Sequence, residues 1–178
     1  MKILRYIALF IFFIYCIIAF APKTNIYYKL ERVLSKNNLY ISHEKIVQNL
    51  FSFDIKNSEI SYENINIGKI GNIHFDFLIF SNHLKFKDAN LVANNFKLIP
   101  KSIDNLDISY NVFSPTKIII CSKNDLGVVS GTFDLIKQHL SITLKPAKNA
   151  RVKYSAMLRN FKIQKKGIYT YEKNIKLY

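Results

Sequence analysis

The chain has 178 residues, of which 49% are apolar, and a formal net charge of +14. This apolar fraction excludes a disordered chain, and the length suits one domain of ordinary size behind a short N-terminal segment. The lysines are scattered along the chain, whereas a nucleic-acid site requires a continuous basic track, so we expect no nucleic-acid partner; anionic lipid headgroups are the alternative partner for this charge.

The first predicted element is a cytoplasmic tail and transmembrane anchor in residues 1–23. Residues 6–21 carry no charge, and ten of them are Ile, Leu or Phe. Such residues supply about −3 to −6 kcal/mol for insertion into lipid. A helix over residues 3–21 is about 28 Å long, close to the thickness of a hydrocarbon core. The predicted lipid-facing residues are Tyr6, Leu9, Phe10, Phe13, Ile17 and Phe20.

A cleaved signal peptide is the rival interpretation of this segment. Ala19-Phe20-Ala21 has the A-x-A form of a signal peptidase site. Pro22 would follow the cut, and its fixed φ and missing N–H should hinder binding to a peptidase. We therefore expect a retained anchor. The very short basic tail before it favours a cytoplasmic N-terminus. In a bacterium this orientation would place residues 24–178 in the periplasm, attached to the inner membrane by a single-pass anchor.

A short amphipathic helix is predicted directly after the anchor, over residues 24–36. Thr24 is the expected N-cap, and Asn37-Asn38 suits the helix end. Apolar residues recur at helical spacing between them, at Ile26, Tyr27, Leu30, Val33 and Leu34. We expect this apolar stripe to pack on the chain's own domain, with an interaction face for another protein as the alternative.

From residue 39 to about residue 144 the apolar residues alternate with a period of two, which predicts half-buried antiparallel strands. The longest alternation places Phe75, Phe77 and Ile79 on one face, the candidate contact face for a partner or ligand. The segments between strands are too short for crossover helices, which excludes a parallel sheet. Gly68 and Gly71 are predicted to lie in turns between strands.

Helical spacing returns over residues 147–161, and a last short strand is predicted around Tyr169 and Tyr171. We expect the helix to pack its apolar face on the sheet, although a basic amphipathic helix also suits an anionic membrane surface. The predicted fold class is therefore mainly β: an N-terminal transmembrane helix followed by an antiparallel β-meander sheet domain with two short amphipathic helices.

The sequence offers no familiar catalytic or metal-binding pattern. The four histidines are isolated, and neither H-E-x-x-H, C-x-x-C nor G-x-S-x-G occurs. We therefore expect no cofactor, no metal and no enzymatic activity. Cys16 would lie in lipid and Cys121 in the domain, so no disulfide is expected between them.

Acidic residues at outward strand positions are the remaining candidates for chemistry. Asp54, Glu59, Glu63 and Asp76 fall on successive predicted strands, and their convergence across the sheet is the arrangement that acid–base catalysis would require. The favoured interpretation is that they neutralise neighbouring lysines. His74 is expected to be a solvated histidine on the polar side of its strand.

The segment Gly127-Val-Val-Ser-Gly-Thr-Phe-Asp-Leu, followed by Leu140-Ser-Ile-Thr-Leu-Lys-Pro146, resembles the C-terminal part of the bacterial type II secretion system protein N family. The resemblance implies a short cytoplasmic tail, one anchor, a β-rich periplasmic domain and no catalytic motif. It implies a structural or assembly role in a trans-envelope machine, such as a secretion apparatus, a pilus or a flagellar motor.

Two functions follow as hypotheses. In the first, the protein is a non-catalytic scaffold that contacts the lipid bilayer and other protein subunits of an envelope complex, with no small-molecule substrate. In the second, it is a carrier or bridge that shields lipid or another hydrophobic ligand along an apolar sheet groove. The discriminating feature is the apolar sheet face: helices that cover it would make it a core, whereas an open groove favours the carrier.

Overall fold

A computed structural model describes residues 2–20, 22–78, 80–91, 100–164 and 167–175. Its helices are α1 (Lys2–Phe20), α2 (Thr24–Ser35), α3 (Ala150–Lys153) and α4 (Ser155–Leu158). Its strands are β1 (Leu39–Ser42), β2 (Lys45–Gln48), β3 (Ser52–Tyr62), β4 (Ile65–Phe77), β5 (Ser81–Leu91), β6 (Ser102–Asn111), β7 (Lys117–Asn124), β8 (Gly127–Asp134), β9 (His139–Pro146), β10 (Lys162–Ile163) and β11 (Tyr169–Asn174).

The strands form one antiparallel sheet in the order β1-β3-β4-β5-β6-β7-β8-β9-β11-β10, and β2 also pairs with β3. From β3 to β9 each strand pairs with the next in sequence, as short connections favour, so the predicted mainly β antiparallel meander is confirmed. At the far edge β11 lies between β9 and β10.

One face of this sheet is apolar across most of its width. Residues directly opposite one another in antiparallel strands point to the same side. The register therefore aligns two apolar rows: Phe53, Phe75, Leu84, Ile108 and Ile120 in one, and Ile55, Ile73, Phe86 and Leu106 in the other.

The prediction that Gly68 and Gly71 lie in turns is wrong, and the strands are irregular at these positions. Both glycines lie inside β4. Gly71 lies in register between Asn57 and Asp88, which have φ values of 55° and 55°. A Cβ on Gly71 would come within 3.1 Å of the Asp88 Cβ. The positive φ values shift the alternation of buried and exposed side chains by one residue. As a result Ile55 and Ser58, which are three residues apart on either side of Asn57, are both buried.

Two separate cores lie at opposite ends of the apolar face. At the first edge Tyr27 of α2 packs on Phe53, Ile55, Ile70 and Ile73. At the other edge α3 and α4 pack on β8, β9 and β11 through buried residues: Leu126, Leu144, Ala150, Tyr154, Leu158 and Tyr169. Each helix buries an apolar stripe that would otherwise face water, which is why these amphipathic segments fold onto the sheet.

The helix predictions are confirmed in part. The helix expected over residues 24–36 is α2, but Lys23 is its N-cap and makes no side-chain capping bond there. Lys23 is buried, and its Nζ instead donates to the Ala19 carbonyl oxygen at 3.1 Å, where a cation suits the end of α1.

The single helix expected over residues 147–161 is wrong: it is broken into α3 and α4 at Tyr154. This residue has φ −118° and ψ 29°, outside helical values. Its ring is buried in the second core, and its hydroxyl donates to the Asp125 carboxylate, while Lys153 Nζ donates to the same carboxylate at 2.7 Å. These tertiary contacts hold the chain out of helical geometry.

The strand residues expected within residues 92–99, and Ile79, lie outside the described residues. Within the parts of the chain that the structure describes, no helix reaches the length and apolar character needed to cross a membrane.

Candidate functional site: an apolar groove

The centre of the apolar face lies between the two cores. Its side chains come from β5, β6 and β7 and are only half-buried, namely Leu84, Phe86, Leu106, Ile108, Ile118 and Ile120. The helices pack at either side of them: α2 over β1, β3 and β4, and α3 with α4 over β8, β9 and β11. We call this central strip, with the cavities along it, the apolar groove.

Three adjoining cavities follow the groove. The largest, about 280 Å³, lies under α2 and is lined by aliphatic and aromatic residues, namely Leu30, Leu34, Leu39, Ile41, Ile55, Ile60, Ile70, Ile73, Phe75, Leu84 and Phe86. A second cavity of about 210 Å³ shares Ile60, Ile70 and Phe86 with it. A third of about 190 Å³ shares Phe75 and Leu84. The shared walls make the cavities one continuous apolar feature.

The predicted contact face lies at this groove. Phe75 and Phe77 point to the apolar side, where their rings stack on Phe53 at centroid distances of 4.5 Å and 5.9 Å. Both line the third cavity. Their function as a contact face stays a prediction. Sequence reasoning missed the residues of β5 to β7, although their alternation was visible, because only the register shows that they share a face with Phe75.

The predicted anchor residues all lie on α1, and each is exposed. Their exposed fractions are Tyr6 73%, Leu9 65%, Phe10 62%, Phe13 58%, Ile17 54% and Phe20 81%. The ring of Tyr15 meets Phe51 edge-on at 5.8 Å, so α1 passes beside the end of the sheet where β3 begins. Their role as lipid-facing residues stays a prediction.

The opposite face of the sheet carries a polar network centred on His74. Its Nδ1 lies 2.7 Å from Asp54 Oδ1, and its Nε2 lies 2.8 Å from Asp76 Oδ1. Lys85 Nζ donates to Asp76 Oδ2 at 3.0 Å. Burial alone lowers the pKa of His74, but the hydrogen bonds to both carboxylates outweigh it and raise that pKa above its ordinary value. His74 is therefore not the isolated, solvated residue expected from the sequence.

Of the four candidate carboxylates, some converge across the sheet and others neutralise a lysine. Asp54 and Asp76 converge on His74, while Glu59 pairs with Lys69 at 2.6 Å, as the neutralising role predicts. Burial raises the pKa of Asp76, but hydrogen bonds from Lys85 and His74 bring it below its ordinary value overall. Glu63 lies with a φ of 48° in the β3–β4 turn. In the sequence, the pattern that could have indicated this network is the placement of Asp54, His74 and Asp76 at polar positions of neighbouring predicted strands.

We expect His74→Asn to lower the free energy of unfolding by about 1–3 kcal/mol at acidic pH, because two carboxylates lose a half-buried charged partner. The folded-state pKa of His74 is raised, so its stabilisation is fully present below about pH 6.5 and is lost as pH rises through the folded-state value. Urea denaturation across this range measures the difference between the wild type and the variant. His139→Asn is the control, since the side chain of His139 is hydrogen-bonded to a neutral group, the Asn174 amide oxygen. A His74→Asn effect that grows with pH would contradict the imidazolium bridge.

A second histidine on this face lies between a hydroxyl and a carboxylate. Ser81 Oγ is 3.1 Å from His83 Nε2, and His83 Nδ1 is 3.2 Å from Asp107 Oδ1. The order matches a catalytic triad, but a triad depends on a buried aspartate, and 32% of the Asp107 side chain is exposed. Asp107 also lies in register beside Lys85. We interpret the arrangement as cross-strand charge pairing.

Within the described residues no set of His, Cys, Asp and Glu side chains is grouped as a metal site requires. Cys16 and Cys121 are both free, as predicted. No known protein family, no curated protein and no solved structure matches this chain. The resemblance to the type II secretion system protein N family therefore stays a prediction.

Proposed function

We propose that this protein is a membrane-attached, non-catalytic component of a bacterial envelope, and that its sheet holds an apolar ligand, the acyl chains of a lipid, in the apolar groove. The observation that carries the proposal is the half-buried apolar strip between two helix-covered cores. A closed core would bury these side chains, as it does Phe53 and Leu144, which are both 0% exposed.

The chemistry of the groove suits an acyl chain. A site for a polar metabolite places a few polar groups among apolar ones to fix the ligand. The largest of the three groove cavities is lined only by Leu, Ile and Phe side chains. Burial of a methylene group in such surroundings contributes about 0.8 kcal/mol, so an acyl chain gains affinity along its length without a hydrogen bond.

Membrane attachment through α1 supports this ligand, because it brings the groove next to a store of lipid. Its support is the exposure of Phe10, Ile11 and Phe12, three consecutive residues that point to different sides of α1. A single pass with the sheet in the periplasm is the topology we propose, since the basic residues Lys2 and Arg5 precede the apolar segment.

The test uses the intact protein in mild detergent with a photoactivatable palmitate that carries a diazirine in its chain. We expect crosslinks to map to the groove-facing residues of β3 to β6. Ala89→Phe should remove most of them, because Ala89 lines the second cavity and a phenyl ring there fills it. Thr132→Phe is the matched control, a small residue replaced by Phe on the exposed polar face.

Crosslinks confined to α1, or unchanged by Ala89→Phe in a folded variant, would contradict the groove as a ligand site. Circular dichroism of both variants establishes that they fold. Equal losses in Ala89→Phe and Thr132→Phe would also contradict it, since the polar face does not contact the groove.

A second candidate is the scaffold, in which the protein contacts other subunits of an envelope complex. Exposed apolar side chains on the outer side of α2 favour it: Tyr28 is 54% and Val33 57% exposed. Tyr28→Ser with Val33→Ser should then release partner subunits in a pull-down from membranes while leaving palmitate crosslinking unchanged. The reverse result favours the carrier.

A further inference from the structure

The turns at one end of the sheet carry a row of exposed apolar side chains. The strand register places the β2–β3, β4–β5, β6–β7 and β8–β9 turns at the same end, because β3, β5, β7 and β9 begin where their partners end. We call this the apolar end of the sheet. Its exposed side chains are Leu50 61%, Leu78 47%, Phe80 54%, Val112 45%, Phe113 79% and Ile136 77%.

These side chains form an ordered surface. The rings of Phe80 and Phe113 stack at 5.7 Å, and the Val112 N–H donates to the Phe80 carbonyl oxygen at 3.0 Å, which extends the β5–β6 pairing into the turns. The Phe77 N–H donates to the Phe51 carbonyl oxygen at 2.7 Å and joins the neighbouring turn in the same way. The described turns at the opposite end differ: Glu63, Asn64 and Asp125 occupy them, and Leu126 there is buried.

The helix α1 passes beside the same end. Tyr15 contacts Phe51 in the β2–β3 turn, and the large apolar side chains from Ile3 to Phe13 are mostly exposed, so this part of α1 projects away from the sheet. Lys117 and Lys137 lie exposed among the turns, and cations near a membrane surface are attracted to anionic headgroups. An acidic residue, Asp134, lies next to the β8–β9 turn. Its carboxylate accepts hydrogen bonds from the backbone N–H groups of Ile136 and Lys137.

We infer that the apolar end of the sheet is a second membrane contact, in which the turn residues, chiefly Phe80, Phe113 and Ile136, insert into the lipid interface beside α1. The inference rests on the proposed membrane attachment and adds an orientation: the strands stand upright on the bilayer. The polar turns then face away from it. β3 has eleven residues, so its far end lies roughly 33 Å from the lipid surface at about 3.3 Å per residue.

The chain contains no tryptophan, which makes a single introduced Trp an unambiguous probe. The full protein is reconstituted into vesicles of phosphatidylethanolamine and phosphatidylglycerol, with and without bromine on the acyl chains. Phe113→Trp should lose most of its fluorescence in the brominated vesicles. Tyr62→Trp, at the far end of β3, should lose none, because bromine quenches only at contact distance. Both positions are partly exposed and tolerate an indole.

Flotation of the vesicles measures attachment separately. Floating protein whose Phe113→Trp fluorescence is unquenched, or in which both variants are quenched equally, overturns the upright orientation alone. Protein that does not float overturns the membrane attachment and this inference together. Palmitate crosslinking in detergent does not depend on orientation, so a failure of the groove would leave the quenching result unchanged.

Discussion

Phe53→Ala is expected to lower the free energy of unfolding by about 3–5 kcal/mol, the cost of removing a fully buried aromatic ring and leaving a cavity. Phe53 is 0% exposed, and its ring stacks on Phe75 at 4.5 Å with planes 4° apart. It also packs in the core that holds α2 against the sheet. The total free energy of unfolding of a domain of this size is about 5–15 kcal/mol, so the variant should lose a large share of its stability.

The measurement is chemical denaturation in mild detergent. Phe113→Ala is the matched control, since the same ring is removed from a side chain that is 79% exposed, and its cost should stay below about 1 kcal/mol. Equal losses in the two variants would mean that Phe53 does not lie in the core with Tyr27, Ile55 and Ile73.

The proposed membrane attachment through α1 predicts that Leu9→Arg combined with Phe13→Arg releases the protein from membranes. Both residues are exposed on α1, at 65% and 58%. Each arginine costs about 2.5–3.5 kcal/mol at the centre of a membrane helix, against a total of about −3 to −6 kcal/mol for the apolar residues of this segment. The sum becomes unfavourable, so the double variant should move from the membrane pellet to the soluble fraction after carbonate extraction.

The control for this double variant is Val152→Arg with Ile163→Arg. It adds the same charge at apolar positions that are 85% and 70% exposed but lie on α3 and β10. That protein should remain in the membrane. Release of both double variants would show that added charge, and not lipid insertion of α1, controls the distribution.

Much of the fold was predictable because it depends on local pattern. The alternation through Phe75 and Phe77 gave strand type and the inward face, since side chains alternate sides in any extended chain. Short connections gave antiparallel neighbours in sequence order. The places where prediction was wrong involve long-range contacts: Gly71 lies inside a strand opposite Asp88, and Tyr154 breaks a helix because its hydroxyl binds Asp125.

The candidate site was less predictable for the same reason. Histidines that are isolated in sequence acquire partners across strands, as His74 does with Asp54 twenty residues away. The apolar end of the sheet draws Phe80 and Phe113 from turns that are 33 residues apart, and neither turn shows a pattern by itself. Register brings such residues together, and register is a property of the whole sheet.

The sequence by itself determined the apolar N-terminal segment, the mainly β class, the meander order and the composition of the strand faces, because each follows from residue type and spacing along the chain. Only the tertiary structure decided where the helices pack. Since α2 covers one edge of the sheet and α3 with α4 cover the other, the apolar strip between them is left half-buried. The same alternating pattern would suit a closed core, so the groove depends on helix placement and not on the pattern itself.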